Sequence, residues 1–371
     1  MDSIDKVYEL FSRLGYQVLS PNYKGKGAYD LREKEKQLIE EIYTIANYSK
    51  QFQAFLIKLR EPSNEVIRSL PDLFLHEVHY PFLVFTPDYR NYTFAFVEKI
   101  REDVGVFKKK IVRLNLDRDD AYYTDKQILS EITLGEEKNP AEIYSILRKA
   151  FSVEKVTKQF FEDYKRLFFN LRQNFFEQEK DLRLAHDFTQ QLLNRLMFLY
   201  FVAKKRWLGE DPKFLWYFWE NYKKTNQQKD SFYANWLSVL FFEAFNKRFA
   251  RRDYLPDKIN ADLVIAPYLN GGLFSENRLD RTGLKVSDNL FESIFNFFEK
   301  YNFTIREEMP FEEEVAVDPE MIGKVYETLV NLSETSDERG DIGIFYTPRV
   351  EIDFMCRRSL VEYFSKKHYE S

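Results

Sequence analysis

Pro81-Phe82-Leu83-Val84-Phe85-Thr86-Pro87-Asp88-Tyr89-Arg90-Asn91-Tyr92-Thr93-Phe94-Ala95-Phe96-Val97-Glu98 reads as two strands about a turn. Residues 81–86 and 92–98 are rich in aromatic and β-branched side chains, and Pro87-Asp88 with Arg90-Asn91 supply turn signals between them. Runs of the same texture lie on either side, at 51–59 and 110–116. These four runs predict one sheet. Before it, residues 5–14 form an amphipathic helix with Val7, Leu10, Phe11 and Leu14 on one face. A polar Gly/Lys segment at 21–29 and a charged helix over 31–47 follow. Residues 1–135 are therefore expected to be a small α/β domain.

From Asn139 the period changes. Val153, Val156, Phe160, Tyr164, Leu167, Leu171 and Phe175 recur at threes and fours as one apolar stripe. Helices are predicted over 187–206, 214–222 and 232–245, the last two carrying Trp216, Trp219 and Trp236. The expected fold class is α+β and predominantly helical, with a helical domain over 140–335. Residues 267–274 interrupt it with a turn whose Gly271-Gly272 permits positive φ. As a phosphate cradle this turn lacks the Lys-Ser/Thr of a P-loop. Asp318-Pro319 opens a further helix marked by Ile322, Val325, Leu329 and Leu332. A polar spacer over 333–341 leads to Gly343-Ile344-Phe345-Tyr346-Thr347-Pro348. Thr347 suits an N-cap and Pro348 the first helical position, with an amphipathic helix over 349–364. An aromatic loop at a helix N-terminus can hold a polar, partly anionic ligand against free N–H groups. A plain capped helix is the alternative.

The 371 residues carry a formal charge of −5, so the whole protein is no generic polyanion binder. Local basic faces remain open. Lys204-Lys205-Arg206-Trp207 and Lys247-Arg248-Phe249-Ala250-Arg251-Arg252 interleave cations with aromatics, a pattern suited to phosphate contact and stacking on DNA. Solvated helix ends explain both runs equally well. The acidic pairs and triplets at 307–308 and 312–314 read as a solvated linker. A single cysteine, Cys356, excludes an intramolecular disulfide. His76-x-x-His79 has no third ligand nearby and reads as a loop pair, so no metal site is assigned. No signal peptide or membrane span is apparent, which predicts a cytoplasmic protein.

Asp318-Pro319-Glu320-Met321-Ile322-Gly323-Lys324-Val325-Tyr326-Glu327, the spacer and Gly343–Pro348 together resemble the entry to adenine-specific DNA methyltransferases of the type IIG restriction-modification kind. Leu192-Leu193-Asn194-Arg195-Leu196-Met197-Phe198, Lys204–Leu208 and Tyr268-Leu269-Asn270-Gly271-Gly272-Leu273-Phe274 resemble the helical segment that precedes the catalytic domain there. The likeness spans roughly residues 150–371 and is specific as a set. It implies that residues 341–371 begin a class I S-adenosylmethionine-dependent methyltransferase domain. Gly343, Phe345, Tyr346, Thr347 and Pro348 would then line the cofactor pocket, and double-stranded DNA would be the partner.

The glycine-rich loop and the Asn/Asp-Pro-Pro-Tyr/Phe tetrapeptide of that family are absent from this sequence; Asn139-Pro140 continues into Ala141-Glu142. No catalytic residue is therefore assigned. The chain is expected to be the N-terminal part of a larger enzyme and inactive alone. A non-catalytic DNA-binding or protein-interaction helical scaffold is the alternative. Relatives often carry an N-terminal metal-dependent nuclease, which needs an acid and a lysine two apart on one strand. Pro87-Asp88 with Glu98-Lys99 misses, because adjacent strand residues face opposite ways. Lys58 would need an acid at 56, which is Leu56. The first domain thus reads as at most a degenerate nuclease-like module.

Overall fold

The hairpin at 80–101 sits at the centre of a seven-stranded sheet whose strands lie side by side in chain order in the computed structural model. The structure describes residues 3–23, 29–48, 50–101, 107–136, 138–225, 228–269, 271–305, 312–319, 323 and 349–369. The strands are β1 (Val18–Tyr23), β2 (Ile39–Tyr48), β3 (Phe52–Leu59), β4 (Tyr80–Thr86), β5 (Asn91–Arg101), β6 (Phe107–Asp117) and β7 (Glu312–Glu314). Pairings are antiparallel except β3–β4 and β6–β7. In the hairpin Leu83 faces Ala95 and Phe85 faces Thr93. Asp88 closes its turn by accepting from the Asn91 and Arg90 N–H groups at 2.7 and 2.9 Å.

A parallel pair needs a crossover, and α3 (Asn64–Glu77) supplies the one from β3 to β4. Ser63 caps it by accepting from the Val66 N–H at 3.3 Å. Its Leu70 and Phe74 pack with Phe55, Ile57, Leu83, Phe85, Ala95, Val97 and Ile111 on one sheet face. The alternate residues point the other way, toward α1 (Ile4–Arg13) and α5 (Pro140–Ala150). There Phe82 lies 6.2 Å from Phe11 and 5.7 Å from Phe151, ring to ring, and Phe96 lies 5.3 Å from Tyr144. Burial on both faces is why β4 is an unbroken apolar run.

The charged helix expected over 31–47 is not what forms. Only Glu33–Leu38 (α2) is helical, and the chain then becomes β2. Ile39, Ile42 and Ile45 recur at three, which mimics a helix. Ile42 nevertheless pairs with Ile57 of β3, and Ile39 and Ile42 enter the core beneath α3. Packing on a half-buried pleat overrides the local period.

The predicted stripe forms α6 (Val153–Glu179), whose Phe160, Tyr164, Leu171 and Phe175 are wholly buried. It lies against α7 (Leu182–Lys204), which is buried almost without break from Leu192 to Ala203. Then come α8 (Phe214–Lys224), π-helical turns at Tyr233–Leu237 and Val239–Ala244, α9 (Asp257–Ile265) and α10 (Asp288–Phe298). An ordinary helix was expected over 232–245. The buried pairs Trp236/Leu237, Leu240/Phe241 and Ala244/Phe245 recur every four residues. The winding there is i→i+5, as in Phe245 N–H to Leu240 O at 3.1 Å.

Residues 312–314 correct another expectation. They are β7 rather than a solvated linker, paired with Ile111, Val112 and Arg113 of β6. Cations on β6 and on α3 offset the glutamates' poor strand propensity. Glu312 meets Arg113 and lies 2.7 Å from Arg68, and Glu313 lies 2.6 Å from Lys110. Glu314 accepts from the Thr304 hydroxyl at 2.8 Å. Sheet and helices thus belong to one compact unit, residues 1–317. The second unit, 318–371, contains α11 (Arg349–Tyr369), on which Ile352, Met355, Leu360, Tyr363 and Phe364 are exposed.

Candidate functional site

A cleft of about 380 Å³ opens where the chain leaves the carboxyl ends of β3, β4 and β6, the customary place for ligands in open α/β sheets. The start of α4 (Tyr123–Glu131), the end of α7 and residues 302–305 close its other sides. Most of its polar groups satisfy one another. The Thr93 hydroxyl donates to Asn115 Oδ1 at 2.6 Å, and Asn302 Nδ2 to the Asn115 carbonyl at 3.1 Å. Lys204 Nζ donates to Asn302 Oδ1 at 2.8 Å. The Tyr122 ring carries two ammonium groups, Lys213 at 4.6 Å and Lys204 at 5.4 Å from its centroid. Lys213 also pairs with Asp120.

Asp125 is the exception. Only 1% of it is exposed, and one carboxylate oxygen accepts from the Tyr122 N–H at 3.2 Å. The other, Oδ1, is buried with no hydrogen-bond partner among the described residues. Burial pushes this carboxyl up to about 7, against the pull of the Tyr122 N–H, Lys204 and Lys213, and Glu314 pushes the same way. Burial lowers the Lys204 ammonium, opposed by Glu314 and Asp125. Burial likewise raises Glu299, which accepts from Tyr200 Oη at 2.9 Å at the edge of this cluster. Two groups shifted toward neutrality in one cleft mark a functional-site candidate.

The first basic run divides here. Lys204 turns into the cleft, and Arg206 lines its rim. Lys205 and Trp207 are exposed, with Lys205 Nζ 5.2 Å from the indole centroid. Arg206 sits at φ +59 because α7 ends in a Schellman motif: its N–H reaches Ala203 O at 2.7 Å and that of Trp207 reaches Val202 O at 3.3 Å. That position ordinarily belongs to glycine. In the second run Arg251 pairs with Asp257, Arg252 grips Glu243 at 2.7 and 2.9 Å, and Lys247 donates to the Ala266 carbonyl. Arg248 is exposed. The cofactor residues Gly343, Phe345, Tyr346, Thr347 and Pro348 lie outside the described residues, as does most of the helix expected from Asp318.

Two of the phrases singled out in the sequence meet in space through Arg195, a residue of the first phrase with no role assigned from sequence. Arg195 of α7 is 0% exposed and pairs with Asp280 at 2.5 and 3.0 Å. Its remaining donors take the Leu273 carbonyl at 2.6 Å and the Ser275 carbonyl at 3.3 Å. The 271–275 loop is thereby tied to α7, its 272–274 turn is 3-10, and neither Gly271 nor Gly272 uses the positive φ open to it. Asp280 stays below the ordinary carboxylate range: burial works against ionisation, but Arg195 and the Asn277 N–H outweigh it.

The chain has a relative among restriction-modification proteins. It is 31% identical over 176 residues to a Methanocaldococcus jannaschii protein named "Putative type II restriction enzyme and methyltransferase". The matched stretch is 47% of this chain and 14% of that relative, so the chain spans a small part of the relative's length. No family model matches the chain, and no solved structure does.

The nuclease pattern is not assembled at the hairpin. Both Asp88 oxygens are engaged by the turn, Oδ2 accepting from Asn91 Nδ2 at 2.7 Å. Burial disfavours ionisation of Asp88, yet the bonds from Asn91 and Arg90 hold its carboxyl below the usual range. Lys58 reaches the Pro87 carbonyl at 2.7 Å and Glu40 at 3.3 Å, while Glu98 pairs with Arg148 at 2.7 Å. Among the described residues no group of three or more His, Cys, Asp or Glu side chains is placed to hold a metal ion. No described helix is long and apolar enough to cross a membrane.

Proposed function

We propose that this chain is part of a site-specific DNA adenine-N6 methyltransferase of a type IIG restriction-modification system. The carrying observation is its identity to the Methanocaldococcus jannaschii protein. The Arg195 clamp supports the reading, since it gives two of the resembling phrases a common structural purpose. S-adenosylmethionine supplies the methyl group in this chemistry. Gly343, Phe345, Tyr346, Thr347 and Pro348 would form one wall of its pocket. Lys205 and Arg248 offer cations to phosphate, and Trp207 a stacking surface; Arg206, which donates to the Glu210 carbonyl at 3.3 Å, adds its charge beside them. Lys204, Lys247, Arg251 and Arg252 are engaged within the protein and would contribute to DNA binding mainly by placing their neighbours.

Ultraviolet crosslinking of labelled S-adenosylmethionine to the full-length enzyme tests the cofactor wall. The expected product is a labelled peptide spanning 343–348; label confined to other peptides refutes the assignment. Fluorescence anisotropy with duplex DNA across a salt series tests the basic surface. Affinity falling with salt, with a shallower slope for Lys205→Ala, is expected. A salt-independent affinity would instead favour the helical protein-interaction scaffold.

A further inference from the structure

The loop that Arg195 clamps bears an unexplained pair of glycines at its tip. Several contacts fix the loop: Arg195 takes the Leu273 and Ser275 carbonyls, Asn246 Nδ2 donates to the Phe274 carbonyl at 3.4 Å, and the Leu269 N–H reaches Phe245 O at 3.0 Å. Gly271 and Gly272 are exposed, and neither has a positive φ. A Cβ on either would meet no described atom beyond its chain neighbours within 4 Å. Nothing among the described residues therefore asks for glycine there. The remaining use of glycine is to let something outside come close to the backbone.

Cations stand on both sides of this tip. Beneath it Phe274 packs between Phe198 of α7 and Phe245, with ring centroids 5.7 and 4.9 Å away. Lys205 lies seven residues past Phe198, hence on the same side of α7 and about 10 Å further along it. Arg248 lies three residues past Phe245. Its run ends a helical segment as the first run does: the Lys247 N–H reaches Ala244 O at 3.1 Å and that of Arg248 reaches Glu243 O at 2.8 Å, with Lys247 at φ +55. Lys205, Arg248 and, just past the turn, Arg278 are exposed with no carboxylate partner among the described residues. The loop's exposed carboxylate, Glu276, is 3.3 Å from Arg281. The occupant called for is a polyanion with a recess too narrow for side chains. The minor groove of B-DNA, about 6 Å wide between two phosphate strands, has that shape; the major groove, about 12 Å wide, admits a whole helix and needs no bare backbone.

We propose that the Gly271-Gly272 turn enters the minor groove of duplex DNA, with Lys205 and Arg248 on the phosphates that border it. Guanine projects its N2 amino group from the floor of that groove, whereas A·T pairs leave the floor open. A bare turn seated against the floor therefore favours A·T pairs. The inference rests on the DNA-engaging reading of Lys205 and Arg248, to which it adds a groove and a base preference; it does not require methyl transfer.

The test is fluorescence anisotropy of the full chain, at one salt concentration, with three duplexes of one mixed sequence: the parent, a copy with inosine for guanine, and a copy with 2,6-diaminopurine for adenine. Inosine removes the minor-groove amino group and diaminopurine adds one, while the purine groups in the major groove stay as they were. The native chain should bind the inosine copy about five-fold more tightly than the parent and the diaminopurine copy about five-fold more weakly. Gly271→Val and Gly272→Val should each level the three affinities without lowering the melting temperature, since either side chain has open space. If a valine variant melts below the native chain, Gly271→Ala or Gly272→Ala takes its place. Glycine variants that keep the native affinities overturn the proposal, and so does native binding that ignores the amino group. In either case a uniform loss of affinity in Lys205→Ala leaves the DNA-engaging reading standing. Failure of the native chain to bind any of the duplexes overturns both.

Discussion

Replacing Asp125 with asparagine should stabilise the protein above neutral pH. The carboxyl rises from 3.8 to about 7 on folding because burial disfavours its charge. A raised acid of this kind leaves folding unhindered below pH 4, where both states hold the proton. Its contribution is lost as pH climbs through 7, because the unfolded chain ionises freely and the folded one does not. Three pH units at 1.36 kcal/mol each give about 4 kcal/mol as the upper limit of that loss. Asparagine keeps an acceptor for the Tyr122 N–H but forfeits the attraction of Lys204 and Lys213. A net gain of about 2 kcal/mol at pH 8.5 is therefore expected. Urea unfolding followed by tryptophan fluorescence at intervals from pH 4.5 to 8.5 measures it, with the two proteins converging at the acid end. A variant less stable than the native chain at pH 8.5, or an offset independent of pH, would refute the reasoning.

Three further outcomes follow from the described contacts. Arg206→Gly relieves the left-handed cap and should raise stability by about 0.5–1 kcal/mol, measured by thermal melting, while weakening duplex DNA binding. Asp280→Asn leaves the buried Arg195 charge uncompensated and should cost about 3–5 kcal/mol in urea unfolding; its cost should shrink as pH falls below 4, since the native carboxyl is held low and its stabilisation is lost through that range. Asp88→Ala should cost about 1 kcal/mol through the hairpin turn, and magnesium should leave the melting curves of both proteins unmoved.

The apolar pattern carried most of the architecture. The stripe from Val153 to Phe175 is α6, and the aromatic runs around Pro87-Asp88 are β4 and β5. What escaped was decided by distant partners. Nothing local in Glu312-Glu313-Glu314 signals a strand; Arg68, Lys110 and Arg113 make it one. Isoleucines spaced by three in β2 imitated a helix until β3 fixed their register. The run Lys204–Trp207 was visible as a basic cluster, but composition could not say that Lys204 points inward and Lys205 outward. Asp125 and Arg195 were each one charged residue on a predicted or unassigned segment. Their significance lies in an unmet oxygen and in carbonyls from a loop 78 residues away.

The short strand that completes the sheet also sets a timetable. Arg113 waits for Glu312 across 199 residues, and at about 5–20 residues per second of synthesis that interval is roughly 10–40 s. Until then the β6 edge, with Ile111, Val112 and the Arg113 guanidinium, emerges from the ribosome without its neighbour. Contacts of such long range slow folding, and an open strand edge invites pairing with other chains. The three cations that later receive Glu312 and Glu313 would meanwhile keep that edge repulsive toward its own copies, so the same charges serve as a guard during synthesis and as a latch once the chain returns.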